Sequence, residues 1–142
     1  MAAFFKFNQF VEDVAHKVHN LGSDTLKVYL TNATPDAAAD AVKADLAEIS
    51  AGNGYTAGGA TPTISSSGET SGTYKLVLAD VTFTASGGSI GPFRYAVLYN
   101  DTPTSPADPL IGAWDYGSAL TLASGETLTV DFDATNGVLQ LA

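Results

Sequence analysis

The chain has 142 residues, enough for one domain with a hydrophobic core of its own. Hydrophobic residues make up 45% and charged residues 15%, and a formal net charge of −9 comes from fifteen acidic side chains against six basic ones. This composition excludes a disordered chain, and it argues against nucleic acid or an anionic membrane as partner, since both are held through clustered Lys and Arg.

The six cations, Lys6, Lys17, Lys27, Lys43, Lys75 and Arg94, are scattered along the chain. There is no cysteine, hence no disulfide, thiolate metal site or thiol nucleophile. The opening MAAFFKFNQF lacks the apolar core and cleavage site of a secretory signal, and no apolar run is long enough to span a bilayer. Synthesis in a reducing cytoplasm is the expectation.

FNQFVEDVAHKVHNLG, residues 7–22, predicts an amphipathic helix, with Phe7, Phe10, Val11, Val14, Val18 and Leu21 on one face. Asn8 is placed to cap its start and Gly22 to stop it. DTLKVYLTN, residues 24–32, alternates Leu26, Val28 and Leu30 with Lys27, Tyr29 and Thr31, a half-buried strand. In ATPDAAADAVKADLAEIS, Val42, Leu46 and Ile49 fit either a short helix or a loop with one helical turn. Residues 51–72 are rich in Gly, Ser and Thr and read as loop, with a short edge strand around Pro62 to Ser66.

From residue 73 the pattern is strand and turn. TYKLVLADVTFTA is one bent strand or two, with Asp80 near the break. Gly87-Gly88 precedes FRYAVLYN, and a proline-punctuated segment leads to LIGAWDYG. LTLA and ETLTVDFD, joined at Ser124-Gly125, predict a hairpin, and Asn136-Gly137 marks a tight turn before VLQL. The expected fold is mainly β, an antiparallel β-sandwich or jelly roll with one N-terminal amphipathic helix. It forms a single domain over 1–142, with arm and helix over 1–22 and a β-rich body over 23–142.

No chemistry-bearing motif stands out. Glu12, His16 and His19 share the polar side of a helix over 7–22, where a metal-binding reading competes with a solvated face holding one Glu–His pair. The solvated face is preferred, because nothing nearby would orient the ligands. Asp131 to Gly137 resembles a calcium loop only faintly, its Gly falling at the seventh position rather than the sixth. There is no G-x-S-x-G turn for a serine nucleophile, and GNGYTAGG lacks the Lys-Ser/Thr pair of a phosphate loop. The sequence implies no enzyme, no metal and no cofactor.

Both arms of the segment from Phe93 to Tyr116 are apolar on both sides. Phe93, Tyr95, Val97 and Tyr99 oppose Ala96 and Leu98, while Leu110, Trp114 and Tyr116 oppose Ile111 and Ala113. One face can fill a sandwich. The other is expected to meet the helix, a long loop or another chain, since leaving a Leu or Ile exposed forgoes about 1.5–3 kcal/mol. Tyr99, Trp114 and Tyr116 are also the residues a sugar-stacking platform would use.

FNQFVEDVAHKVHNLGSDTLKVYLTN, AEISAGNGYTAGG, TYKLVLADVTFTASGGSIGPFRYAVLYND and LIGAWDYGSALTLASGETLTVDFDATNGVLQLA together resemble a family of small tailed-bacteriophage virion proteins. The likeness covers most of the chain and lies in sequence blocks, not in a catalytic signature. It implies a capsid decoration or cement protein, a β-rich unit on the outer capsid surface, bound to the major capsid protein and assembled as a homo-oligomer, commonly a trimer. The residues expected at contacts are Phe4, Phe5 and Phe7, within the segment from Ala2 to Phe10, and Phe93, Tyr95, Tyr99, Trp114 and Tyr116 on the hairpin arms. A tail, neck or fibre component and a glycan-binding β-sandwich module are the alternatives.

Overall fold

The computed structural model describes residues 3–142. It is mainly β, with antiparallel sheets and one helix near the N-terminus. Strand β1 (Ala3–Lys6) leads into helix α1 (Asn8–Ala15), followed by β2 (Leu26–Thr31) and a single 3-10 turn over Lys43–Asp45. Then come β3 (Ile64–Thr70), β4 (Thr73–Leu78), β5 (Val81–Thr84), β6 (Ile90–Asn100), β7 (Leu110–Leu122), β8 (Thr127–Val130) and β9 (Leu139–Leu141). A four-stranded sheet ordered β1-β7-β6-β2 faces a three-stranded sheet, β3-β4-β9, and a two-stranded one, β5-β8.

The main core lies between these layers. Val28, Leu30, Ala96, Leu98, Ile111 and Trp114 of the large sheet meet Leu76, Leu78, Val81, Phe83 and Val130 of the smaller ones. A second cluster occupies the opposite face of the large sheet, where Tyr29, Tyr95, Val97, Tyr99, Leu110 and Ala113 pack with Phe7 and Leu46. The cover over this face is the alanine-rich segment 33–50. It forms no helix beyond one turn, and short polar links tie it down. The Tyr29 hydroxyl donates to the Leu46 carbonyl at 3.0 Å, Leu110 N–H to Ala41 O at 3.0 Å and Asn8 N–H to Ala37 O at 2.8 Å.

Glu48 is the anchor of that cover. One carboxylate oxygen accepts from the Tyr55 hydroxyl and from Gly58 N–H, both at 2.7 Å, and the other takes Lys43 Nζ at 2.9 Å. Lys43 in turn sits 4.9 Å above the Tyr29 ring and 5.8 Å from that of Tyr99. Burial alone would raise the Glu48 pKa, but the bonds from Lys43, Tyr55 and Gly58 outweigh it and hold the carboxyl below its ordinary range.

Several expectations are corrected here. The helix runs from 8 to 15, not from 7 to 22, and Phe7 stands at the cap position that the sequence assigned to Asn8. It closes early in a Schellman turn: Val18 N–H reaches Asp13 O at 2.9 Å, Lys17 N–H reaches Val14 O, and Lys17 takes φ +65°. With a lysine where glycine is usual, the stop leaves no mark in the sequence. β3 extends through Thr70, well into the stretch read as loop, and pairs with β4 across Ser71-Gly72. LTLA and ETLTVDFD do not form a hairpin. β8 pairs with β5, while β7 pairs with β6 and β1.

Register also departs from simple alternation. A shift between Phe93 and Tyr95 puts Phe93 in the main core with Ala96 and Leu98, and another beside Leu98 puts Leu110 with Ala113 and Ile111 with Trp114. The shift beside Leu98 adds one residue on β7, while between Phe93 and Tyr95 five positions of β7 pass against two of β6, and an odd excess of residues reverses the facing beyond it.

Candidate interaction surface

The strip from Phe93 to Tyr116 does not face outward. Phe93, Tyr95, Tyr99 and Trp114 are all buried, and Phe7 with them, so these five are corrected as contact candidates. The missing cover was in the chain itself, as segment 33–50 on one face and the smaller sheets on the other. Tyr116 is half-buried against the main core, and burial pushes its hydroxyl pKa up. Tyr99 and Trp114 therefore present no ring to a sugar. The Tyr99 hydroxyl is committed to Gly58 O at 2.8 Å, and the Trp114 ring packs 5.2 Å from that of Phe132.

The apolar surface that is left lies at the N-terminal edge. Among the described residues the large hydrophobic side chains that stand exposed are Phe4 at 38%, Val11 at 55% and Leu141 at 41%. All three line one groove of about 450 Å³, whose other walls include Phe5, Phe10, Val14 and Leu139. Among the described residues Lys6 is its one charged lining residue. Of the expected contact residues, Phe4 and Phe5 belong to this groove, while Ala2 lies outside the described residues.

Local chemistry builds the groove. β1 pairs with β7, Phe4 opposite Trp114 and Lys6 opposite Gly112. A side chain at Gly112 would come within 2.5 Å of the Phe4 ring and 2.8 Å of Phe5 O, so only glycine lets β1 sit there. The Phe4 ring then lies 4.9 Å from that of Trp114, one side on protein and one side open. α1 contributes Val11 and Val14, because the helix lies with Phe10 in the core and leaves Val11 exposed on the groove side.

Both strands bordering the groove are sheet edges, β1 ending the four-stranded sheet and β9 the three-stranded one. The far edge of the large sheet is treated differently. Val28 and Ala60 exchange backbone hydrogen bonds of 2.8 and 2.9 Å, which caps β2 with a loop. β3 ends its sheet with serines, a glutamate and a bulge, features that discourage pairing. Sequence reasoning missed Val11, Leu139 and Leu141. VLQL carried the signal, a strand with apolar residues on both sides at the end of the chain.

The polar candidates come apart. Glu12 and His16 pair at 3.6 Å in solvent, but His19 lies beyond the helix and packs against Phe10. No group of three His, Asp or Glu side chains converges among the described residues. Asp133 spends its carboxylate on Thr135 N–H, Asn136 N–H and the Asn136 amide, which holds its pKa down and shapes a turn rather than a calcium loop. No helix among the described residues is long and apolar enough to cross a membrane. No protein-family model matches the chain, and no curated protein or solved structure is similar to it.

Proposed function

We propose that the chain is a structural protein of a tailed-phage virion, a decoration or cement protein that binds the major capsid protein on the outer shell and acts by contact rather than catalysis. The observation that carries this reading is the single groove in which Phe4, Val11 and Leu141 stand exposed beside two unpaired strand edges. An apolar patch gathered at one place on an otherwise polar small protein marks a protein–protein contact. The blocks that resemble virion proteins supply the class, and the net charge of −9 suits a protein that must not stick to packaged DNA. Bridging neighbouring capsid subunits would add buried area that internal pressure has to break. A homo-oligomer, with a trimer favoured, is part of the proposal.

The test is binding to purified capsids stripped of the protein, with copy number read by quantitative gel or cryo-electron microscopy. The expected result is regular, saturable occupancy over the capsid faces, lost in the Phe4→Asp, Val11→Asp double variant while its circular dichroism is retained. A few copies at one vertex would instead assign the chain to the tail or neck. Full occupancy by the double variant would remove the groove from the contact.

A further inference from the structure

His19 sits in a hydrogen-bonded cluster that lies outside the proposed contact. Its Nδ1 lies 3.1 Å from the side-chain amide nitrogen of Asn100, a fully buried residue at the end of β6. The orientation of that amide is fixed by its other partners. Asn100 Oδ1 accepts from Thr102 N–H at 3.1 Å, and Nδ2 also donates to Asp24 Oδ2 at 2.7 Å. The nitrogen facing the imidazole is therefore a donor, so Nδ1 must carry the lone pair and the ring proton must be on Nε2. Among the described residues, His19 Nε2 and Asp13 Oδ2 are both buried side-chain atoms without a hydrogen-bond partner.

We infer that His19 is an acid-sensitive latch: the neutral ring clasps Asn100 through Nδ1, and protonation breaks that clasp and turns the ring toward the carboxylates of Asp13 and Asp24. The inference is independent of what the groove binds. Once Nδ1 carries a proton, two donors face each other at 3.1 Å and the bond cannot persist. Asn100 cannot retreat, because its N–H is held by Pro109 O at 3.0 Å and the next N–H, of Asp101, by Thr25 O at 2.9 Å. The turn from residue 16 to 24 is the part that must move. It borders an open cavity of about 530 Å³, across which stand Ser67 and Tyr74 of β3 and β4 and Thr102 and Pro103 of the loop after β6.

The charged groups around the ring are few. Asp13 faces it from α1 and Asp24 from the turn itself, both favouring the imidazolium. Lys17 shares the cavity wall, and Tyr74 is the titratable group on the opposite side. Burial opposes charging more strongly than the two carboxylates favour it, so the ring's pKa falls below its ordinary value and the clasp is closed at neutral pH. With the folded pKa depressed, the unfolded chain takes up the proton first as pH drops through about 6.5. The latch thus stabilises the fold above that pH and loses this contribution as pH falls toward the folded pKa. Because α1 runs directly into the turn and carries Val11 and Val14, loosening reaches one wall of the groove.

Long-range 1H–15N correlation spectra of the His19 ring test this directly. The expected result is an Nε2–H tautomer for His19 at pH 7.5 and a titration midpoint below the ordinary imidazole value of about 6.5. As His19 titrates, exchange of the Asn20 and Asp24 amides should accelerate about tenfold beyond the intrinsic pH effect, the weight of one hydrogen bond. His19→Gln, whose amide oxygen accepts from Asn100 at any pH, should abolish that acceleration. An Nδ1–H tautomer, a midpoint at or above about 6.5, or titration without any change in the turn would overturn the inference. The wild-type spectra decide it even if the variant fails to fold.

Discussion

Glu48→Ala is the most informative single change, because it tests whether segment 33–50 is clamped over the second face of the large sheet or merely rests there. The substitution leaves three donors without their acceptor: the Lys43 ammonium, the Tyr55 hydroxyl and Gly58 N–H. The side chains of Lys43 and Glu48 are only 21% and 15% exposed, so water replaces the lost bonds poorly. Breaking a fully buried pair from one side costs about 3–5 kcal/mol, and the partial access of water here puts the expectation at the lower end, about 3 kcal/mol. At this chain length each kcal/mol moves the melting temperature by roughly 3–5 °C, so a drop of about 10 °C is expected. Glu48→Gln keeps an acceptor for Tyr55 and Gly58 but turns an amide N–H2 toward the Lys43 ammonium, so it loses the charge and the Lys43 bond and should cost about 2 kcal/mol. Urea unfolding followed by tryptophan fluorescence reads both, since Trp114 is buried. Acid sharpens the test. The Glu48 pKa is depressed in the folded chain, so its contribution is complete above the unfolded value of about 4.3 and fades as pH falls through the folded one. Glu48→Gln should therefore flatten the loss of stability below about pH 4.5. A Glu48→Ala protein within about 0.5 kcal/mol of wild type would refute the clamp, since surface changes away from such features stay inside that range.

Gly59→Ala should be severely destabilising, because its Cβ would fall 1.8 Å from Val28 O and break the cap on β2; thermal melting measures it. Gly112→Ala should instead unseat β1, seen as faster hydrogen exchange at residues 3–6 and increased exposure of the Phe4 ring, with the main core retained. Lys17→Gly relieves a left-handed lysine at the end of α1 and should raise stability by about 0.5–1 kcal/mol in urea titrations, where a loss would contradict the Schellman stop. Trp114→Ala opens a cavity between Phe4 and Phe132 and should cost about 3–5 kcal/mol; a folded, undestabilised variant would mean that the ring is not core.

The strands were legible wherever polarity alternates or a turn residue punctuates. Asp80 does mark a break, between β4 and β5, where its carboxylate accepts from Phe132 N–H at 2.8 Å. Asn136-Gly137 does turn the chain into β9. Partners were not legible, because β8 chooses β5 across a long connection and local pattern says nothing about which edge is free. The register shifts between β6 and β7 beside Phe93 and Leu98 have no sequence mark either, and they moved Phe93 and Trp114 to faces that strict alternation denies them. Of the covers expected for the hairpin's second face, the helix, a long loop or another chain, the structure shows the loop, and Phe93, Tyr95, Tyr99 and Trp114, which were expected at contacts, are buried. The cover of that face comes from Phe7 and from one leucine, Leu46, in a segment whose composition fits a helix as well as a loop. Of the groove, the sequence offered Phe4 and Phe5. It hid Val11 behind an expected helix face and Leu141 behind the last strand.

The pairing of Phe4 with Trp114 also has a consequence for synthesis. Phe4, Phe5 and Phe7 leave the ribosome well before the strand that receives β1, so they must wait without their seat until β7 has been made. Such early, sticky, unpaired sequence invites chaperones or premature self-association. Moving the N-terminal arm to follow β7 by circular permutation would shorten that wait, and the yield of soluble protein would report how much it matters.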